Sequence, residues 1–188
     1  AALKVLGPQA KITVVELVPA IVAWARGPMA ELTGDSLGDP RVTIVEGDVV
    51  KAIKAARESC DAILLDVDNG PEGLTRKSNN ALYDLSGLHA SLAALRPGGV
   101  LAVWSSFPHP SFTALLRKAG FKTEEIPIRA AGPRGGARHV IWLATKPHAT
   151  AATTSKPAAS KSAGKSTARQ APGQPSATRK PVAAKKKP

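Results

Sequence analysis

Over residues 1–147, apolar positions switch between a two-residue and a 3.6-residue period. Residues 11–17 (KITVVEL) form a short β-branched run and predict a buried strand. Residues 19–32 follow with Ile21, Val22, Ala25, Met29 and Leu32 at helical spacing. Pro19 suits the first turn of that helix, where a missing N–H costs nothing. A second strand is predicted over 41–46, then a short helix over 48–56 with Asp48 placed to cap it. A third strand over 62–66 (AILLD) precedes a helix over 86–95, which Arg96-Pro97-Gly98-Gly99 is expected to stop. A fourth strand over 100–105 leads to a helix over 110–119, ended by Gly120. Two last strands, 121–129 and 137–145, are joined by AAGPRGG, too short for a crossover helix, so they should form an antiparallel hairpin.

Alternation of apolar strands and helices predicts an α/β fold with its sheet covered on both faces. Ligands of such sheets sit beyond the carboxyl ends of the strands. Composition then divides the chain in two. The 188 residues carry 26 Lys plus Arg and 14 Asp plus Glu, a net charge of +12. Residues 1–147 hold 17 of the bases and all 14 acids. Residues 148–188 hold nine bases and no acid, with Val182 as the only large aliphatic side chain. That segment cannot bury enough apolar surface to offset its ordering entropy, so it is expected to be a disordered basic tail. Its cations would attract nucleic acid without sequence preference, or merely solubilise the chain. The globular part is nearly balanced in charge, which excludes a basic nucleic-acid-binding fold. Cys60, the single cysteine, excludes an internal disulfide. No apolar run reaches the ~18 residues of a membrane span. A cytoplasmic setting is the expectation. His89, His109, His139 and His148 lack ligand spacing, so no metal is expected. Trp24, Trp104 and Trp142 fit packing positions.

Acidic residues end three of the predicted strands. Glu16 closes the first, Gly47-Asp48 follows the second and Asp66 closes the third. A carboxylate at such a position can accept both hydroxyls of a ribose, or can simply favour a helix N-terminus. Asp48 can cap its helix and also read the edge of an adenine. Asp66 emerges from four apolar or small residues, Ala62 to Leu65, at the mouth of the sheet. As a turn residue it would organise Asp68-Asn69-Gly70-Pro71, a role that Asp68 and Asn69 fill better.

ITVVEL-x-P, DPRVTIVEGD, CDAILLD and LRPGGVLAVW together resemble the spermidine synthase family, within the class I S-adenosylmethionine-dependent methyltransferase superfamily. The resemblance covers residues 1–146. It implies a Rossmann-like, mostly parallel sheet with a C-terminal antiparallel hairpin and without its first central strand, hence a domain incomplete at its N-terminus. It implies that Glu16 holds the ribose hydroxyls of an adenosyl sulfonium nucleotide, that Asp48 and the Val49 backbone hold the adenine, and that Asp66 is catalytic. Asp68, Asn69 and Tyr83 would then bind the acceptor. The cofactor would be S-adenosylmethionine or its decarboxylated form, and the acceptor a small amine or another nucleophile.

The chain departs from the family pattern at three places. Asn69 stands where the family has a second aspartate, and Leu82-Tyr83 is followed by Asp84-Leu85-Ser86 without the usual aromatic. The glycine-rich loop that cradles the methionine moiety is absent, so weak cofactor binding or none, and an inactive chain, are expected. Three other readings remain open: a methyltransferase with another acceptor, a nicotinamide-binding domain, and a non-enzymatic binding protein using the basic tail.

Overall fold

The computed structural model of the chain describes residues 2–34, 36–67, 70–71, 80–130, 132 and 135–148. Along them run α1 (Ala2–Val5), β1 (Ile12–Glu16), α2 (Pro19–Arg26), α3 (Ala30–Thr33), β2 (Val42–Glu46), α4 (Val49–Ala55) and β3 (Cys60–Leu65). There follow α5 (Asn80–Tyr83), α6 (Leu85–Ala94), β4 (Leu95–Ser105), α7 (Pro110–Lys118), β5 (Lys122–Arg129) and β6 (Arg138–Thr145). The disordered tail expected over 148–188 falls, from residue 149 on, outside the described residues.

The strands form two sheets. β1 and β2 pair in parallel, from Ile12 opposite Val42 to Glu16 opposite Glu46. The second sheet has the order β3-β4-β6-β5. Its β3–β4 pair is parallel, and β6 and β5 add the expected antiparallel hairpin, from Lys122 opposite Thr145 to Arg129 opposite Arg138. β1 and β3 do not pair with each other. The parallel strands are thus divided between two sheets.

The core belongs to the second sheet. Leu101, Val103, Trp142 and Ala144 from its strands meet Leu88 of α6 and Leu116 of α7, all fully buried. Burying one large apolar side chain of this kind contributes about 1.5–3 kcal/mol. Ile53 of α4 joins the same cluster, and α4 packs against both α6 and β1.

The first sheet departs from the sequence reading. β1 is not a buried strand: Val14 is partly exposed, and so is Val45 of β2. On the open edge of β3, Leu64 is 71% exposed. A parallel strand becomes buried when neighbours and helices cover it, and among the described residues β1 and β3 each hydrogen-bond a single strand. The helix expected over 19–32 is two helices. Gly27 closes α2 by donating its N–H to the Ala23 and Trp24 carbonyls, and Pro28 has no N–H to continue the ladder. Of the expected apolar stripe only Val22 is buried, and Trp24 is 57% exposed instead of packed. Arg96-Pro97-Gly98-Gly99 does not simply stop a helix. α6 ends at Ala94, and these four residues lie in β4, where the register with β3 shifts between Cys60–Leu95 and Ala62–Val100.

Candidate functional site

Glu16 and Glu46 close β1 and β2 side by side. The Gly47 N–H donates to the Glu16 carbonyl at 2.9 Å, which carries the chain across the end of β1 and starts α4 beside it. Asp48 is the N-cap of α4, with Oδ1 accepting the Val50 N–H at 2.8 Å. Glu16 Oε1 accepts the Val18 N–H at 2.8 Å. Each carboxylate is thus oriented by a backbone donor through one oxygen. A carboxylate accepts several hydrogen bonds, so neither is saturated by this contact. Glu16, Asp48 and Val49 are brought together at the carboxyl end of the β1–β2 pair.

Asp66 stands one residue past β3, exposed, at the carboxyl end of the parallel β3–β4 pair. It belongs to the other sheet, and no hydrogen bond joins it to Glu16 or Asp48. Asp68 and Asn69 lie outside the described residues. Tyr83 ends α5 with 5% exposure, and its hydroxyl donates to the Val67 carbonyl at 3.0 Å. Its ring meets Phe112 edge-on, centroids 5.9 Å apart.

An open cleft of about 390 Å³ lies along α5, the start of α6 and the start of α7. Tyr83, Asp84, His109 and Ser111 are among its lining residues. Asp84 caps α6, Oδ1 accepting the Gly87 N–H at 2.8 Å. The sequence reading missed this role, although an Asp directly before a helix is a recognisable start signal. Among the described lining residues, Asp84 and His109 bring a carboxylate and an imidazole to the cleft. Among the described residues no group of three or more His, Cys, Asp and Glu is placed to hold a metal ion. No described helix is long and apolar enough to cross a membrane.

The Asp39-Pro40-Arg41 run, also singled out in the sequence, has an architectural task. Arg41 pairs with Asp39 at 2.8 Å and donates to the Leu3 and Leu6 carbonyls at the end of α1. Hydrogen bonds from the Arg41 guanidinium, and then from its backbone N–H, hold the Asp39 carboxyl down at about 2.

Parallel strands with acids at their carboxyl ends, finished by an antiparallel hairpin, place the chain in the Rossmann-like α/β class that includes spermidine synthases and methyltransferases. Solved structures agree in fold. Spermidine synthase from Thermotoga maritima superposes with a TM-score of 0.56 at 19% identity, over 72% of this chain and 45% of that one. TrmN from Thermus thermophilus gives 0.52 at 22% identity, over 77% and 39%. Within this class, residues 4–113 match the spermine/spermidine synthase domain, and the chain belongs to that family. Polyamine aminopropyltransferase 1 of Streptomyces coelicolor is 32% identical over 126 residues, 62% of this chain and 23% of that protein. The polyamine aminopropyltransferase of Mycobacterium tuberculosis is 31% identical over 111 residues, 57% and 20%. The chain therefore spans less than a quarter of the length of these two curated relatives.

Proposed function

We propose that this chain is a transferase domain that binds an adenosyl sulfonium donor and passes its aminopropyl group to a small amine. The observation that carries this reading is Asp66 at the carboxyl end of β3, inside a family match that spans residues 4–113. The adjacency of Glu16 and Asp48 across the Gly47 turn supports a nucleoside berth at the carboxyl end of the β1–β2 pair. Glu16 would accept the ribose hydroxyls. Asp48 would take the adenine amino group, with the Val49 backbone next to it. Both carboxylates are held by backbone donors, which suits a site that must be oriented before its ligand arrives.

The acceptor chemistry explains why an acid is needed at position 66. A primary amine has a pKa of about 10.4 and is mostly protonated at neutral pH. Asp66 would attract the ammonium and take its proton as the nitrogen closes on the donor. The nitrogen lone pair then forms a C–N bond to the carbon next to sulfur. The C–S bond breaks with its electrons moving to sulfur, leaving a neutral thioether. The acceptor would lie in the cleft lined by Tyr83 and Asp84. Asp68 and Asn69, two and three residues after Asp66 in the sequence, would add polar groups.

Transfer followed by mass spectrometry, with decarboxylated and intact donor compared, tests the reading. Asp66→Asn is expected to lower aminopropyl transfer by about 10²–10⁴-fold, the usual contribution of a general base. Undiminished transfer by Asp66→Asn would remove the catalytic assignment. Methyl transfer from the intact donor, with no aminopropyl transfer, would make the protein a methyltransferase of the same fold.

A further inference from the structure

Tyr83 does more than line the cleft. Its hydroxyl donates to the Val67 carbonyl at 3.0 Å, one residue beyond Asp66. The same carbonyl receives the Gly70 N–H at 3.5 Å, the limit of a useful hydrogen bond. Of these two hydrogen bonds to the Val67 carbonyl, the phenol makes the shorter.

The ring is itself held. Tyr83 packs edge-on against Phe112, and Phe112 packs edge-on against Trp142, centroids 5.0 Å apart. Trp142 is fully buried and donates its indole N–H to Thr113 at 2.8 Å. The phenol thus projects from the rigid core of the second sheet toward the Asp66 turn. The far side of the turn is fixed by Gly70, which has φ of +93°. A Cβ there would come within 2.5 Å of the Ser105 side chain at the end of β4. Only glycine meets both conditions.

We infer that Tyr83 is a positioning residue for Asp66: its hydroxyl pins the backbone just after the aspartate and so fixes where the carboxylate points. This rests on the reading of Asp66 as the proton acceptor, and it gives Tyr83 a task different from contact with the acceptor. A carboxylate on a free turn would sample many directions, and a small misplacement of a reacting group is costly in rate.

The Tyr83→Phe variant tests this in the full chain, since it removes the hydroxyl and keeps the ring against Phe112. Hydrogen exchange is read first. Amides of residues 66–70 are expected to exchange about tenfold faster, with β4 and β6 unchanged, the loss of one hydrogen bond being worth about that factor. Unchanged exchange in the turn, or equal acceleration throughout the sheet, would overturn the inference. Transfer kinetics are read second. The variant should lose about tenfold in kcat with little change in the KM for amine. A raised KM with kcat intact would assign the hydroxyl to acceptor binding instead. The Asp66→Asn variant separates the two claims. If it retains activity, the catalytic reading falls, while the exchange measurement still decides whether the clamp exists.

Discussion

At the residue scale, the acids of this chain divide by what their oxygens meet. Asp48 and Glu16 each accept a backbone N–H two residues ahead and so serve local structure as well as any ligand. Asp39 is committed to Arg41, and that pairing has a pH signature. Its carboxyl ordinarily titrates near 3.8 and is held at about 2 in the fold. A depressed folded pKa gives stability that is fully present above the unfolded value and is lost as pH falls from about 4 toward 2. Thermal melts of wild type and Asp39→Asn at pH 5 and pH 2.5 check this. The gap between the two proteins should be widest at pH 5 and should narrow at pH 2.5. A gap independent of pH would show that the Asp39 charge contributes nothing. The sequence made Asp48 legible as a cap because Asp, then apolar residues at helical spacing, is a local pattern. The destination of the Tyr83 hydroxyl was not legible, because Val67 lies 16 residues away and only the folded chain joins them.

At the element scale, what could be read was whatever depends on neighbours in sequence. The hairpin of β5 and β6 follows from a short Gly/Pro-rich connection, and β4 from its apolar run. The break between α2 and α3 escaped because apolar spacing runs on through Gly27-Pro28, where the hydrogen-bond ladder stops. α7 and the hairpin hold together through a polar contact that no periodicity reveals. Trp142 donates to Thr113, and Thr113 donates to Glu125, each at 2.8 Å. Thr113→Val keeps the shape but leaves a fully buried indole N–H without this acceptor. It should cost about 1–3 kcal/mol, measured by urea unfolding. A change below about 0.5 kcal/mol would mean that the indole finds another partner.

At the scale of the whole molecule, the chain has one well-buried sheet and one that is open to solvent. The core cluster runs from Ile53 to Ala144, whereas Leu32, Trp24 and Leu64 lie exposed on the first sheet, its helices or the edge of β3. Sequence alternation correctly gave a parallel α/β arrangement, because strand and helix periods are local. It overestimated the burial of β1, because burial depends on which strands flank it. The proposed nucleoside berth sits on the open sheet, and the proposed proton acceptor on the buried one. The central claim is that the first of these holds the donor through Glu16. Titration calorimetry of the full chain with methylthioadenosine, in wild type, Glu16→Gln and Asp66→Asn, tests it most directly. Methylthioadenosine lacks the amino-acid part of the methionine moiety that the glycine-rich loop would cradle, so weak but saturable binding is expected for wild type and Asp66→Asn, with an affinity at least about tenfold lower in Glu16→Gln, equivalent to about 1.4 kcal/mol. No saturable binding by wild type, or equal affinity in all three proteins, would contradict it.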